Sequence, residues 1–264
     1  MIYFAEKFKR ASVEEGHFLL AWTGQAGFML KNSKGKVMAL DVYLSDLVEK
    51  EDNRKRLMPA LFSADEIVPD VVLASHHHAD HLDMEILPFW LSEGASLYCC
   101  EASGQLCCEA DMPKDHICTM KPGDRTEQDG YKVEAVFADH GDTALKAIGF
   151  VVETEGIRLY FTGDTSYQHM RMQPVTERKI DVLILPINGE YGNMNEKDAV
   201  MLAAQTGAGL TIPCHFWTFA RHSGDPYLFE QEMKVEAPDA PCYVMAQGEI
   251  LDIEANGQFS RRQG

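Results

Sequence analysis

Four histidines and two aspartates lie within ten positions of the chain, in the stretch ASHHHADHLD at residues 74–83. They follow the apolar run VVLA, which predicts a short buried strand from Val71 to Ala74. In layered α/β folds, ligands bind beyond the carboxyl ends of strands, in loops that a rigid scaffold holds. The stretch therefore predicts a functional loop at the edge of a sheet.

The residue types in this loop are those that bind divalent metal ions. Neutral imidazole and carboxylate are common ligands of zinc and similar ions. In an extended segment His76 and His78 project to the same side and can bind one ion, while a turn at residues 79–80 directs Asp80 and His81 toward a neighbouring ion. The alternative is a solvated histidine-rich loop without a ligand role.

Three further predicted strand ends offer the same ligand types. His140 lies in FADHGDTA, Asp164 in YFTGDTSY and His215 in IPCHFWTF, each just beyond a predicted strand. Taken singly, each could be an ordinary loop or turn residue. Together with the first loop they make a set of seven candidate ligands. The remaining histidines outside the loop have no such context, and a surface or core role is expected for them: His17, His116, His169 and His222.

Strands and helices alternate along much of the chain, which predicts one α/β domain over residues 1–264. HFLLAWTGQAGFMLK and GKVMALDVY, separated by NSKGK, predict a β-hairpin. NEKDAVMLAAQTG predicts an amphipathic helix that Gly207 stops, and YVMAQGEILDI predicts a final strand pair.

The composition limits which binding partners and which cellular compartment are expected. The net charge of −17, without a dense Lys/Arg stripe, argues against a nucleic-acid substrate. No apolar run approaches the roughly 18 residues that a membrane span needs, and the N-terminus lacks the features of a secretory signal. Seven cysteines, an odd number, fit reduced thiols in a cytoplasmic protein. A small-molecule substrate is expected, and a homo-oligomer is left open.

The order of these motifs resembles that of the metallo-β-lactamase fold superfamily. Its signature is HxHxDH, then a His, then an Asp after a strand, then a last His, and the resemblance extends from WTGQAGFML, with Gly24 and Gly27, to IPCHFW. The resemblance implies a four-layer αββα sandwich of the α/β class. It also implies how the ligands divide: His76, His78 and His140 for a first metal, Asp80, His81 and His215 for a second, and Asp164 as the bridge.

AWTGQAGFMLK, KPGD, LYFTGDTSYQ and IPCHFW resemble more narrowly the branch that contains L-ascorbate-6-phosphate lactonase. This resemblance implies a metal-dependent hydrolase in which a hydroxide activated by two metal ions opens an ester or lactone bond of a small substrate, with or without a phosphate group. A phosphodiesterase acting on a small phosphodiester and a metal-binding module without turnover are the alternatives.

The metal and the remaining site residues are less sharply indicated. Histidine and carboxylate ligands accept zinc or manganese, with iron or nickel as alternatives. Asp80 is the candidate catalytic residue, because it could also orient the hydroxide and take up its proton. Four residues near strand ends are candidates for substrate contact, although turn formation and core capping would explain them equally: Tyr167, Asn188, Tyr191 and Trp217.

Overall fold

The computed structural model describes residues 3–262, which contain fourteen β-strands and seven α-helices. The strands are β1 (Phe18–Gly24), β2 (Gly27–Asn32), β3 (Val37–Leu40), β4 (Val71–Ala74), β5 (Ser96–Cys100), β6 (Ile117–Met120), β7 (Arg125–Gln128), β8 (Tyr131–Phe137), β9 (Ile148–Thr154), β10 (Ile157–Phe161), β11 (Val182–Pro186), β12 (Leu210–Cys214), β13 (Ile250–Ile253) and β14 (Phe259–Arg261). The helices are α1 (Phe4–Arg10), α2 (Leu47–Asp52), α3 (Leu87–Ser92), α4 (Glu101–Glu109), α5 (His169–Thr176), α6 (Glu196–Thr206) and α7 (Pro226–Glu236).

The strands form two sheets. The larger sheet has eight strands in the order β14-β13-β1-β2-β3-β4-β5-β6, and the smaller has six in the order β12-β11-β10-β9-β8-β7. Strands β3 to β6 are mutually parallel, as are β10 to β12, and the remaining pairs are antiparallel. The two sheets, with helices packed against each, agree with the four-layer sandwich of the α/β class expected from the sequence.

Alternating side chains of the larger sheet enter two different cores. Phe18, Leu20 and Trp22 of β1 join the core that the two sheets share, whereas Leu19 and Ala21 pack in a second core with α1, α3 and α4. Both faces of β1 are therefore buried, which explains why its sequence is apolar throughout instead of alternating. Helices α5, α6 and α7 contribute their buried residues to the shared core from the side of the smaller sheet.

Strand direction brings the candidate ligand loops to one place. In the smaller sheet β8 and β10 are both antiparallel to β9, so β8, β10 and β12 run in one direction and end at the same edge. In the larger sheet the parallel strands β3 and β4 also end together. Asp41 follows β3, the histidine-rich loop follows β4, and His140, Asp164 and His215 follow the three strands of the smaller sheet.

The structure agrees with some of the local predictions and corrects others. The strand Val71–Ala74 is confirmed, and so is the end of α6, where Gly207 adopts the left-handed conformation with φ of 59°. The run HFLLAWTGQAGFMLK is two strands, β1 and β2, because Gly24 and Gly27 flank a tight turn inside it. The predicted final pair within YVMAQGEILDI is wrong: only β13 lies there, and its partner β14 follows six residues later.

Among residues 3–262, no helix combines the length and the apolar character that crossing a membrane requires.

Candidate metal centre

All seven candidate ligands predicted from the sequence converge at the edge where the two sheets meet. One group of ligand atoms within 4.8 Å of one another belongs to His76, His78 and His140, and another belongs to His81, Asp164 and His215. Asp80 joins the second group, because its Oδ2 lies 3.7 Å from His81 Nε2 and 3.6 Å from His215 Nε2. We call these the first and the second metal position.

The first position is built from ring nitrogens whose lone pairs face each other. The Ser75 hydroxyl donates to Asp41 Oδ2 and therefore accepts from His76 Nδ1 at 3.0 Å, which leaves His76 Nε2 without a hydrogen. His78 Nε2 donates to the Thr143 carbonyl at 3.2 Å, which leaves its Nδ1 bare. These two bare nitrogens are 2.8 Å apart.

This arrangement of ring nitrogens suits a metal ion. Two nitrogen lone pairs at 2.8 Å repel each other unless a cation lies between or beside them. Burial lowers the pKa of His76 well below its usual range and that of His78 to about 4, so both rings are neutral and able to ligate at neutral pH. The donor set of the first position therefore suits a divalent ion.

Asp164 faces both positions. Its Oδ2 lies 3.2 Å from His215 Nε2, 3.4 Å from His81 Nε2 and 3.6 Å from His140 Nε2. Burial alone would raise the pKa of Asp164, but His215 and His81 hold it well below the usual range, so the group is a carboxylate. Asn193 Nδ2 donates to the same oxygen at 2.7 Å and orients it.

The second position carries more negative charge. Burial lowers the pKa of His81, but the carboxylates of Asp164, Asp80 and Asp41 outweigh burial and raise it well above its usual range. Burial likewise opposes ionisation of Asp80, yet His81 and His215 bring its pKa to about 2. A cation, whether a proton or a metal ion, is therefore strongly favoured among these groups.

Three residues of the centre were not predicted from the sequence. Asp41 accepts from Ser75 N–H at 2.7 Å and from His81 Nδ1 at 2.7 Å, so it orients a ligand of each position. Gln25 donates to Asp80, and His222 stacks on His215 with ring centroids 4.6 Å apart. From the sequence a surface or core role is expected for His222; the residue is buried beside the candidate centre, where Asp80, His215 and His222 form a further group of potential ligands.

A cavity of about 460 Å³ opens over the two positions, a size that suits a small molecule. Its lining includes metal-position residues together with Glu51, Asp52, Arg54, Thr143 and Tyr191. Arg54 donates to the Tyr191 hydroxyl at 3.4 Å and also pairs with Asp52. The rim therefore combines an aromatic ring with groups of both charges.

The four candidates for substrate contact lie in different surroundings. Within residues 3–262, Tyr191 lines the cavity, whereas the other three candidates are outside its lining. Asn188 is buried and accepts from Asn193 Nδ2 at 3.1 Å, so it supports the residue that orients Asp164. Tyr167 donates to Gln205 at 2.8 Å, and Trp217 is 55% exposed and packs edge-on against Phe216.

Comparison with known proteins gives the same fold. The sequence profile of the Beta-lactamase superfamily domain matches residues 19–215. The structure of Igni18, a metallo hydrolase from Ignicoccus hospitalis, superposes with a TM-score of 0.73 at 22% identity and covers 90% of this chain and 99% of that one.

Proteins similar in sequence include several UPF0173 metal-dependent hydrolases. A UPF0173 metal-dependent hydrolase of Natranaerobius thermophilus is 30% identical over 200 residues, which are 74% of this chain and 86% of the relative. One from Archaeoglobus fulgidus is 26% identical over 245 residues, 89% of this chain and 98% of the relative. The chain therefore belongs to the metallo-β-lactamase superfamily, as a relative of the UPF0173 metal-dependent hydrolases.

Proposed function

We propose that this metal-dependent hydrolase holds two divalent ions, zinc or manganese, and opens an ester or lactone bond of a small substrate. The observation that carries the proposal is the place of Asp164, whose Oδ2 lies within 3.2–3.6 Å of ring nitrogens from both positions. A carboxylate between two sets of imidazoles is suited to bridging two ions. His76, His78 and His140 would hold the first ion, and Asp80, His81 and His215 the second.

Two closely spaced divalent ions would supply hydroxide at neutral pH and would polarise the oxygen of a carbonyl or phosphoryl group. The protein's part is to bring the ligands together, to fix the tautomers of His76 and His78 and to shape the cavity. Ser75 and Thr143 fix the ring nitrogens of His76 and His78 through the hydrogen bonds described above.

Asp80 is proposed as the catalytic residue that orients the attacking hydroxide and takes up its proton. Its side chain is 16% exposed and lines the cavity, whereas that of Asp164 is 5% exposed. With a pKa of about 2 it is ionised at neutral pH and accepts hydrogen bonds. Of the two carboxylates in the centre, Asp80 is therefore the one more open to an incoming molecule.

The size and charge of the cavity support a small-molecule substrate. Its volume of about 460 Å³ lies within the range of small-ligand sites, and Glu51 and Asp52 on its rim would repel a nucleic-acid backbone. Tyr191 and Arg54 would contact the part of the substrate that points out of the cavity. The narrower resemblance to L-ascorbate-6-phosphate lactonase stays a prediction.

The metal content of the purified, untagged protein tests the proposal directly. Elemental analysis is expected to give close to two ions per chain, and a lower content in His78→Ala. His116→Ala is the matched control, because His116 bonds the Ala95 carbonyl at a distance from the centre and its loss should leave the metal content unchanged. A wild-type chain that neither contains nor takes up zinc or manganese would refute the proposal.

Assays on the metal-loaded protein then identify the bond that is broken. Lactones and esters of small sugars, with and without a phosphate group, are compared with small phosphodiesters. Turnover of the first group supports the proposed reaction. Turnover of phosphodiesters alone would reassign the enzyme to phosphodiester hydrolysis, and full metal content without any turnover would favour a metal-binding module.

The Asp80→Asn variant tests the catalytic role. Because the amide neither carries the charge nor accepts the proton, turnover should fall at least as strongly as metal content. Both are measured on the same preparation, with Asp142→Asn as the control, since Asp142 is an exposed carboxylate in the loop after His140. Unchanged turnover at full metal content would contradict the role.

A further inference from the structure

Gln25 places its side-chain amide against three groups of the second metal position. It lies in the turn between β1 and β2, and its Nε2 is 2.7 Å from Asp80 Oδ2, 2.9 Å from His222 Nδ1 and 3.1 Å from His215 Nε2. It thus contacts two of the proposed ligands and the additional histidine of the centre. Nothing in the reaction proposed above assigns it a role.

Hydrogen bonds also fix the backbone of Gln25. It adopts the left-handed conformation with φ of 54°, which is unfavourable for a residue other than glycine. Its N–H donates to Thr218 Oγ1 at 2.9 Å, and its carbonyl accepts from Trp22 Nε1 at 3.0 Å and from His215 N–H at 2.9 Å. Unfavourable backbone conformations persist where surroundings over-determine them, and they cluster at functional sites.

The Gln25 amide has fewer hydrogens than neighbouring acceptors. An amide nitrogen has two hydrogens, and its two nearest acceptors are the Asp80 carboxylate at 2.7 Å and His222 Nδ1 at 2.9 Å, whereas the amide oxygen lies 3.4 Å from His222 Nδ1. The opposite amide orientation would place an oxygen against the carboxylate of Asp80 and is unfavourable. With both hydrogens directed to these two acceptors, Gln25 has none left for His215 Nε2 at 3.1 Å, and a lone pair on that nitrogen would be free for a metal ion.

His222 completes the arrangement, because neighbouring aromatic rings fix its position. It is 2% exposed, it stacks on His215 at an interplanar angle of 25°, and it lies perpendicular to the ring of Phe219 at a centroid distance of 5.1 Å. A fixed acceptor at Nδ1 holds the second hydrogen of the Gln25 amide. The direction of the first hydrogen, toward Asp80, is fixed as a consequence.

We propose that Gln25 and His222 form a positioning pair for the second metal position, in which the amide holds Asp80 Oδ2 toward the ion and leaves the lone pair of His215 free. The inference rests on the two-metal function proposed above and deepens it. Affinity for the second ion should depend on the pair, whereas affinity for the first ion, bound by His76, His78 and His140, should not.

Titration of the chelator-treated full-length protein with Co²⁺ alone tests this pair. The d–d absorption of Co²⁺ reports the coordination geometry, so the measurement does not depend on turnover. Gln25→Met keeps the length of the side chain and its unbranched shape but removes both donors. The matched control is Gln247→Met, since the Gln247 amide donates to the carbonyls of Thr23 and Pro59 beside the same turn and contacts no proposed ligand.

We expect Gln25→Met to weaken the second Co²⁺ by about 10- to 100-fold and to change its absorption, while the first Co²⁺ and the Gln247→Met variant match the wild type. Unchanged affinity and absorption would overturn the pair and leave the two-metal function standing. Tighter binding of the second ion would also overturn it, because the amide would then be a competitor of the metal. A wild-type chain that binds fewer than two ions would overturn the two-metal function and this inference together.

His222→Phe is a second test of the positioning pair if Gln25→Met folds poorly. A lower melting temperature of Gln25→Met would reveal poor folding. Phenylalanine keeps the stacking on His215 and removes the acceptor of the second amide hydrogen. Weaker binding of the second Co²⁺ is expected with an unchanged first ion. Wild-type binding of both ions in this variant would overturn the role of His222.

Discussion

A single buried carboxylate governs the hydrogens of two metal-position histidines. Asp41 Oδ2 accepts from both the Ser75 hydroxyl and His81 Nδ1, and the hydroxyl in turn accepts from His76 Nδ1. Each histidine is left with its Nε2 pointing to the centre. Hydrogen-bond partners of this kind fix the orientation of a ligand and its basicity.

The Asp41→Asn substitution should lower metal affinity by about 10- to 100-fold. Asp41 accepts hydrogen bonds from the Ser75 N–H, the Ser75 hydroxyl and His81 Nδ1. An amide has a single acceptor oxygen, so the amide nitrogen of the variant side chain would direct its hydrogens against at least one of these donors. Isothermal titration with Zn²⁺ measures the affinity of the wild type and the variant.

Asp181→Asn is the control for this substitution. Asp181 is equally buried, and it accepts from the backbone N–H groups of Arg158 and Asn256 far from the centre. Its replacement should reduce stability without changing metal affinity. Equal Zn²⁺ affinity in wild type and Asp41→Asn would contradict the role given to Asp41.

The residues that the sequence did and did not reveal differ in how they reach the centre. His76 and His78 are two positions apart in one loop, so their shared direction follows from local spacing. Asp41 acts on Ser75 across 34 positions because β3 and β4 pair in parallel, a contact that no local pattern contains. His222 reaches the centre because the chain folds back after His215, where residues 215 and 217 both have positive φ.

At the level of elements, the loop after β10 brings its backbone close to the loop after β4. Gly163 has φ of 61°, and a Cβ at this position would lie 2.7 Å from Ser75 Cβ. Ser75 is the residue that connects Asp41 with His76, and Asp164 follows directly in the chain. The contact between these two loops therefore sets the spacing between ligands of the two sheets.

Gly163→Ala should destabilise the fold by about 1–3 kcal/mol, through unfavourable φ and through crowding of Ser75. Gly156→Ala is the matched control, because Gly156 also has positive φ, at 76°, but a Cβ there would meet nothing within 4 Å. Urea unfolding of both variants separates crowding from backbone strain. If the two variants lost the same free energy of unfolding, crowding between the two loops would not contribute to the effect of Gly163→Ala.

Element types were easier to predict than the pairing of elements. The apolar run of β4 and the glycine that ends α6 are local signals, and both predictions are confirmed. The strand pair predicted at the carboxyl end failed because β13 pairs with β1, 230 or so residues earlier in the chain, and with β14 beyond the predicted segment. Long-range pairing of this kind leaves no trace in local periodicity.

On the scale of the whole molecule, the candidate metal centre joins the two sheets. The histidine-rich loop and Asp41 belong to the larger sheet, and His140, Asp164 and His215 to the smaller. Each proposed ion therefore draws ligands from both sheets: the first from His76, His78 and His140, the second from Asp80, His81 and His215. Such an ion binds the folded chain far better than the unfolded one, where these ligands are distant from each other.

Removal of metal should consequently lower the stability of the entire fold. An ion at 100 times its dissociation constant stabilises a protein by about 2.7 kcal/mol per site, so restoring Zn²⁺ to chelator-treated protein should raise the unfolding midpoint in urea. His78→Ala should recover less stability than the wild type, because its first position has lost a ligand, whereas His116→Ala should recover the full amount. Equal midpoints with and without Zn²⁺ would show that packing between the sheets alone, without a bridging ion, determines their association.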